Sequence, residues 1–314
     1  MFRFVLSTWT LVVLCSGDPG KIPEVSYDDL KDLILAKDFE PLKDPGGKFS
    51  SLVIHDIPVQ DYVKSVLNLF KNGPECIGTH SGQDLELSNG AVRKTFATES
   101  GSYPECLEHE MATVGEGFDL VEVLVSKLIQ KIANRDLEYF DPDHMTSQSL
   151  LSAPIKDHIH VYTMTNRGAN ATRDDFSRDK ALVPKHLDNG LFLLITPYPD
   201  HALQIEMSNG QTISTSWMDP GSILVMFGLG TPEWLLQHDL GSSRQFYPAP
   251  HGVPGIGGPL NNKRQDQDPR PRTVFARMKV APGEAKPRIP PTGNNDNMSN
   301  EVPSTDDLDY VHLF

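Results

Sequence analysis

The sequence is short of positive charge and of cysteine. Its 314 residues include 28 lysines and arginines against 42 aspartates and glutamates, a formal net charge of −14. A protein that binds a polyphosphate backbone needs a clustered excess of Lys and Arg, so this balance argues against a nucleic-acid partner. With only three cysteines, the fold cannot depend on many cross-links, and the chain is long enough to bury a core without them.

Several functional motifs are missing as well. The sequence has no glycine-rich phosphate loop, no serine nucleophile elbow and no Cys-x-x-Cys pair, which leaves nucleotide-dependent, serine-hydrolase and zinc-ribbon functions without support. The apolar stretch 4–15 is too short for a membrane-spanning helix, which needs about 20 residues. We therefore expect no stable membrane span.

The first residues have the pattern of a signal peptide. Arg3 gives the start a positive charge, an apolar core follows, and the small residues Ser16 and Gly17 offer a cleavage point. The alternative is an N-terminal core strand or an uncleaved anchor. The pattern favours a signal peptide at residues 1–17, and hence a protein that is secreted or lies in the lumen of the secretory pathway.

Secretion changes the meaning of the cysteines. Cys15 would leave with the signal peptide, so that Cys76 and Cys106 remain in an oxidising compartment, where an even number favours pairing. We predict one disulfide between them; two free buried thiols are the alternative. Two acceptor sequons, at Asn170 and Asn297, predict N-glycosylation in the same compartment.

The first half of the chain has mainly helical periodicity. Helices are predicted over 26–38, where Ser26 can cap the N-terminus, over 59–70, ending at Asn72-Gly73-Pro74, and over 119–133. A strand is predicted over 49–57, and a solvated loop over 106–111. Residues 24–154 then form a bracing region for the second half.

Beyond residue 155 the apolar period changes from 3.6 to 2. Short β-rich segments occur at 158–163, 191–196, 202–207, 211–217, 222–227 and 273–280, and turn residues such as Asn209-Gly210 separate them. Many short strands at this spacing indicate an antiparallel sandwich or barrel over 155–282. Segment 247–272 is predicted to be a long loop, and the tail 283–314 to be disordered.

A candidate metal site begins at His186-Leu187-Asp188. In an extended segment residues i and i+2 point to the same face, so His186 and Asp188 can meet at one point and supply two ligands of a 2-His-1-carboxylate iron(II) site. His251, beyond several strands, can converge on the same cavity mouth as the third ligand. His158 and His160 also share a strand face, but we expect them to be wall or strand residues rather than ligands.

An arginine follows at the start of the last strand. The planar guanidinium of Arg272 suits a carboxylate and keeps its charge, which is what anchoring a dicarboxylate requires.

Taken in order, these pieces resemble the iron(II)- and 2-oxoglutarate-dependent dioxygenases, specifically the branch similar to isopenicillin N synthase. The resemblance covers about residues 24–282 and rests on His186-x-Asp188, Asn209-Gly210, the segment 219–228, Pro250-His251 and the Arg272 strand. It implies a mainly β fold with bracing helices and a double-stranded β-helix (jelly-roll) core.

The resemblance also implies a function. Iron(II) would be held by His186, Asp188 and His251, with 2-oxoglutarate as co-substrate anchored by Arg272. Molecular oxygen and a small-molecule or peptide substrate would be the other partners, and the co-substrate would leave as succinate and carbon dioxide.

The sequence departs from the family pattern in two places. A long insertion separates His251 from Arg272 and leaves Arg270 as an alternative to Arg272, and Val274 stands where the family has a serine. Two alternatives stay open: a non-catalytic β-helix protein that binds a ligand or protein, and a cupin-like metal enzyme that does not use 2-oxoglutarate.

Overall fold

The computed structural model describes residues 21–79, 83–86, 91–98, 102–133, 153–164, 183–197, 203–215, 218–232, 243–253 and 272–280. The helices are α1 (Tyr27–Ala36), α2 (Tyr62–Thr79) and α3 (Glu108–Ile132). The strands are β1 (Glu24–Ser26), β2 (Ser51–His55), β3 (Gln83–Glu86), β4 (Ala91–Thr98), β5 (Ile155–Met164), β6 (Val183–His186), β7 (Phe192–Ile195), β8 (Gln204–Glu206), β9 (Thr212–Ser214), β10 (Ile223–Phe227), β11 (His251–Val253) and β12 (Arg272–Lys279).

The strands form two sheets. The large sheet has the order β1-β2-β10-β7-β12-β5-β4-β3, and the small sheet has the order β6-β11-β8-β9. From β5 onward the chain crosses repeatedly between the sheets, and four strands of each face one another, which is the jelly-roll arrangement. The predicted mainly β fold with a jelly-roll core is confirmed. The strands β1 to β4 extend the large sheet, so the N-terminal region shares the sheet of the core.

Strand β12 shows how the core is divided. Val274, Ala276 and Met278 lie in the cluster between the two sheets, whereas Phe275 points the other way and packs on Phe118 of α3 with ring centroids 5.2 Å apart. Because successive side chains of a strand alternate between faces, one strand serves both layers. The inner layer contains the metal-ligand candidates, and the outer layer holds the helices against the sheet.

Helix α1 begins as predicted. Ser26 is its N-cap, accepting a hydrogen bond from the backbone N–H of Asp29 at 3.0 Å. The hairpin β8–β9 likewise turns at Asn209-Gly210, where Gly210 has a φ of 82°. In both places local chemistry alone determines the backbone, since the cap and the positive φ require few tertiary contacts.

The predicted end of the second helix at Asn72-Gly73-Pro74 is wrong. Helix α2 runs to Thr79 and contains Pro74. Packing outweighs the hydrogen bond lost at Pro74, because the last turns bury Ile77 completely and bring Cys76 to its partner. Gly73 permits the close approach, since a Cβ there would lie 2.7 Å from Cγ2 of Thr273.

The third helix begins earlier than predicted. Helix α3 starts at Glu108, not at residue 119, and the expected solvated loop over 106–111 is wrong. Leu107 and Met111 are fully buried at this end, so apolar contacts continue the helix toward its N-terminus. The structure also joins Cys76 to Cys106 in a disulfide that ties α2 to the start of α3.

Some sequence expectations fall outside the described residues. These are the signal peptide 1–17, both sequon asparagines, Asn170 and Asn297, and the tail 283–314. Within the ranges that the structure describes, no helix has the length and apolar character to cross a membrane.

Candidate metal centre

Two adjacent strands of the small sheet bring the candidate histidines together. His186 is the last residue of β6 and His251 the first residue of β11, and the two are direct partners in the antiparallel register. Their ring centroids lie 4.5 Å apart. Asp188 follows two residues after His186, just beyond the strand end. The sequence therefore needs only one strand pairing to assemble all three side chains.

The three side chains point at one location. His186 Nε2 lies 3.8 Å from Asp188 Oδ1, and His251 Nε2 lies 3.5 Å from Asp188 Oδ2. One ligand atom from each of the three residues lies within 4.8 Å of the other two. Two imidazoles and one carboxylate on one side of a point are the donors of the facial triad that binds non-haem iron(II).

The backbone selects the imidazole nitrogen that faces this point. Nδ1 of His186 lies 3.0 Å from the carbonyl oxygen of Pro184, and Nδ1 of His251 lies 3.0 Å from that of Ala249. A carbonyl can only accept, so each Nδ1 donates its proton and each Nε2 keeps a lone pair. Metal-binding histidines are commonly oriented in this way.

The electrostatics of the centre favour a metal ion. Burial lowers the pKa of His186, and the neighbouring His251 ring lowers that pKa further, which favours the neutral imidazole that binds metal. Asp188 is buried, and its Oδ2 accepts no hydrogen bond from the described residues. A buried carboxylate oxygen without a donor is costly unless a cation satisfies it, and the residues present therefore fit an iron ion.

A close backbone contact positions Asp188. Its carbonyl oxygen accepts a hydrogen bond from the N–H of Leu229 at 2.9 Å, and Gly230 donates to the carbonyl of Gly190 at 3.0 Å. Gly228 lies against the same loop, where a Cβ would come within 2.3 Å of the Gly190 oxygen and 2.8 Å of the Asp188 oxygen. Glycine is required at residue 228 by this approach.

His158 and His160 form part of the wall between the sheets. Both are buried on β5, with ring centroids 4.6 Å apart, and His160 Nδ1 lies 2.8 Å from Oγ1 of Thr95. Burial lowers the pKa of His158 to about 4 and that of His160 well below its ordinary value. Both rings are therefore neutral, and the group of metal-ligand candidates found among the described residues does not include them.

The structure places Arg272 at the first position of β12, paired with Tyr162 of β5. The side chain of Arg272 lies outside the described part of the chain. Val274, on the same strand face, is buried between the sheets at 3% exposure. Arg272 as the co-substrate anchor stays a prediction.

Strand β4, and with it the buried position of Arg93, was not predicted from the sequence. This side chain is 6% exposed, and its residue pairs with Leu85 on one side and Tyr162 on the other. The signal was present in the segment Val92-Arg93-Lys94-Thr95-Phe96, but here the polar residues Arg93 and Thr95 face the interior, whereas Phe96 packs on the helix side. The buried and exposed faces of such a strand are exchanged when the polar face is assumed to be solvated.

No protein-family model matches the sequence, and no curated protein matches it. Solved structures do match in fold. JOX2 in complex with 2OG, Fe and JA has a TM-score of 0.56 at 12% identity, covering 84% of this chain and 76% of that one. A full-length protein from Neurospora crassa in complex with alpha-KG has a TM-score of 0.55 at 15% identity, covering 84% and 85%. A putative oxygenase from Shewanella oneidensis has a TM-score of 0.54 at 14% identity, covering 85% and 92%.

Proposed function

We propose that this protein is an iron(II)- and 2-oxoglutarate-dependent dioxygenase that oxidises a small organic molecule or a peptide. The observation that carries the proposal is the convergence of His186, Asp188 and His251, with both Nδ1 atoms bonded to backbone carbonyls. Neighbours in fold support it, because JOX2 contains 2OG and Fe, and the Neurospora crassa protein contains alpha-KG.

The protein's residues have distinct roles in this proposal. The two Nε2 atoms and the Asp188 carboxylate would hold the metal. Iron(II) bound there supplies the redox chemistry that couples oxidation of 2-oxoglutarate to succinate and carbon dioxide with insertion of one oxygen atom of O₂ into a substrate C–H bond.

Arg272 is the proposed anchor for 2-oxoglutarate. It begins β12, whose even-numbered residues Val274, Ala276 and Met278 belong to the cluster between the sheets. A guanidinium at that level binds a carboxylate through two parallel hydrogen bonds. Valine at residue 274 offers no hydroxyl, so the arginine has to hold the far carboxylate without the help that the family serine provides.

The substrate class rests on the neighbours. The Neurospora crassa protein is seen with alpha-KG and thymine, and JOX2 with JA. Both observations support a small organic substrate over a macromolecule.

The compartment belongs to the proposal as well. A secreted or lumenal protein accords with the signal-peptide pattern at 1–17, with the Cys76–Cys106 disulfide and with the acceptor sequons at Asn170 and Asn297. Oxidising compartments are where such disulfides persist.

Anaerobic titration of the full chain with iron(II), followed by measurement of succinate release with and without 2-oxoglutarate, tests the proposal. We expect one iron per chain and succinate formation that requires 2-oxoglutarate. D188A should lose at least about 100-fold in iron affinity, since even residues that only support metal ligands contribute 10- to 100-fold. H109A, which removes an exposed histidine from α3, is the matched control and should bind iron normally.

The outcomes separate the alternatives. A chain that binds no iron would be a non-catalytic β-helix protein. A chain that binds iron but neither binds nor turns over 2-oxoglutarate would be a cupin-like metal enzyme. R272Q should weaken 2-oxoglutarate binding while iron binding persists; unchanged binding would assign the anchor to another residue.

A further inference from the structure

The space between the two sheets contains a buried cation away from the metal ligands. Arg93 on β4 is 6% exposed. Its partners in the sheet, Leu85 and Tyr162, both belong to or pack against the cluster between the sheets. Directly paired residues share a face of a sheet, so Arg93 is on the same interior face. Phe96, which points to the opposite face of β4, packs against the cluster on the helix side.

The position of Arg93 is separate from the proposed co-substrate anchor. Residue 272 and Arg93 flank Tyr162 on its two sides, because β12 and β4 are the two neighbours of β5. Adjacent strands are about 4.8 Å apart, so the two arginine backbones are separated by about 10 Å. Arg93 and residue 272 therefore belong to strands on opposite sides of β5.

A continuous wall connects Arg93 with the metal centre. The rings of His158, His160 and Tyr162 follow one another along β5, with centroids 4.6 Å and 6.2 Å apart. Burial lowers the pKa of His158, and the nearby carboxylate of Asp188 opposes this effect. The charge of Arg93 reaches the same rings and lowers the pKa values of His158 and His160. A molecule held at Arg93 can extend along these three rings toward the centre.

We propose that Arg93 binds a carboxylate of the prime substrate, so that the substrate class of this oxygenase is the carboxylic acids. This inference rests on the proposed oxygenase function, because only an enzyme has a substrate. Binding of an anion at Arg93 does not itself require the metal. The guanidinium fork matches a carboxylate with two parallel N–H···O bonds. The rings of His158, His160 and Tyr162 would pack against the aromatic or aliphatic part of such an acid.

The test compares acids with their uncharged analogues. Phenylacetate, 3-phenylpropionate and octanoate are each titrated calorimetrically against their primary amides, using the full chain loaded with manganese(II) and 2-oxoglutarate. We expect at least one acid to bind about 10- to 100-fold more tightly than its amide, the range for hydrogen bonds to charged groups. If no acid is preferred over its amide, the proposal is overturned.

Two substitutions and one matched control locate the effect. R93Q should abolish the preference for the acid, and R93K should retain part of it, because lysine keeps the charge but not the fork. K94Q removes the neighbouring cation, whose Nζ donates to Gly78 on the helix side, and should leave the preference unchanged. Acid binding that persists at full strength in both R93Q and R93K would overturn the proposal, and R93K keeps the test decisive where R93Q fails to fold.

Two further measurements separate this proposal from its rivals. Affinity for 2-oxoglutarate should stay within about twofold of wild type in R93Q, because Arg272 is the proposed anchor of the co-substrate. A fall as large as that for the acid would make Arg93 the co-substrate anchor instead and overturn the proposal. The titrations are repeated on metal-free protein, where the acid preference should persist. If the wild-type protein binds no iron, the proposed oxygenase function fails. The preference of the metal-free protein for the acid would still test the role of Arg93.

Discussion

Arg277 of β12 and Asp157 of β5 form a buried two-point ion pair. Arg277 Nε donates to Oδ1 of Asp157 at 2.6 Å, and Nη2 donates to Oδ2 at 2.9 Å. The hydroxyl of Tyr103 donates to the same carboxylate at 2.6 Å, and Asp119 of α3 pairs with the same guanidinium. This network joins the two central strands to α3 on the face opposite the metal centre, so that the helices brace the strands carrying the interior wall.

Removing the cation of this pair should destabilise the fold. R277M leaves the Asp157 carboxylate buried at 2% exposure without its main partner, and breaking a buried pair in this way costs about 3–5 kcal/mol. Denaturant unfolding followed by circular dichroism measures the change. K31A, which removes an exposed cation from a surface pair with Asp28, is the control and should unfold like the wild type. A loss below about 1 kcal/mol in R277M would show that the pair contributes no more than a surface one.

Adding a methyl group at residue 228 should damage the metal centre without unfolding the protein. In G228A the new Cβ would lie 2.3 Å from a backbone oxygen of the Asp188–Gly190 loop, so the loop has to move and carry Asp188 away from the histidines. We expect iron(II) affinity to fall at least about tenfold, as for other groups that orient metal ligands. G78A is the matched control, because a Cβ at residue 78 meets nothing within 4 Å. Equal iron affinities for the two variants would rule out this positioning role.

Acid should destabilise the metal-free protein through His158. Burial lowers the pKa of this histidine from 6.5 to about 4, so the unfolded chain binds its proton at a higher pH than the folded one. Stability is therefore fully present above pH 6.5 and decreases as the pH falls toward 4, by roughly 2–3 kcal/mol for this residue. H158N should flatten that part of the profile, measured as unfolding free energy between pH 4 and pH 7. The same slope in both proteins would contradict the assignment to His158.

Removing the disulfide should affect stability but not iron binding. Cys76 and Cys106 are separated by 30 residues, and closing a loop of this length stabilises a protein by roughly 3–4 kcal/mol in the chain-entropy model. C76S/C106S should lose about that much in denaturant unfolding. Its iron(II) affinity should remain within about twofold of wild type, because the bridge joins α2 to the start of α3 and not the strands of the small sheet. A large loss of iron affinity would show that the helix layer supports the centre directly.

Local signals in the sequence account for the elements that were predicted correctly. The cap at Ser26, the Asn209-Gly210 turn and the period-2 strands after residue 155 depend on neighbours within a few positions. The ends of α2 and α3 were wrong because burial decided them: Ile77 and Met111 are both fully buried, and contacts with distant parts of the chain outweigh a Gly-Pro stop signal or an unfavourable start.

The sequence alone revealed the deficit of positive charge, the scarcity of cysteine and the His186-x-Asp188 motif. The motif indicated a metal site, because its donor types suit iron(II) and because residues i and i+2 of an extended chain share a face. Tertiary structure alone decided that His251 stands directly opposite His186, because the strand register brings together residues 65 positions apart. It also decided that Arg93 faces the interior. Which face of a strand is buried depends on what packs against it, and that is settled only when the two sheets and the helices come together.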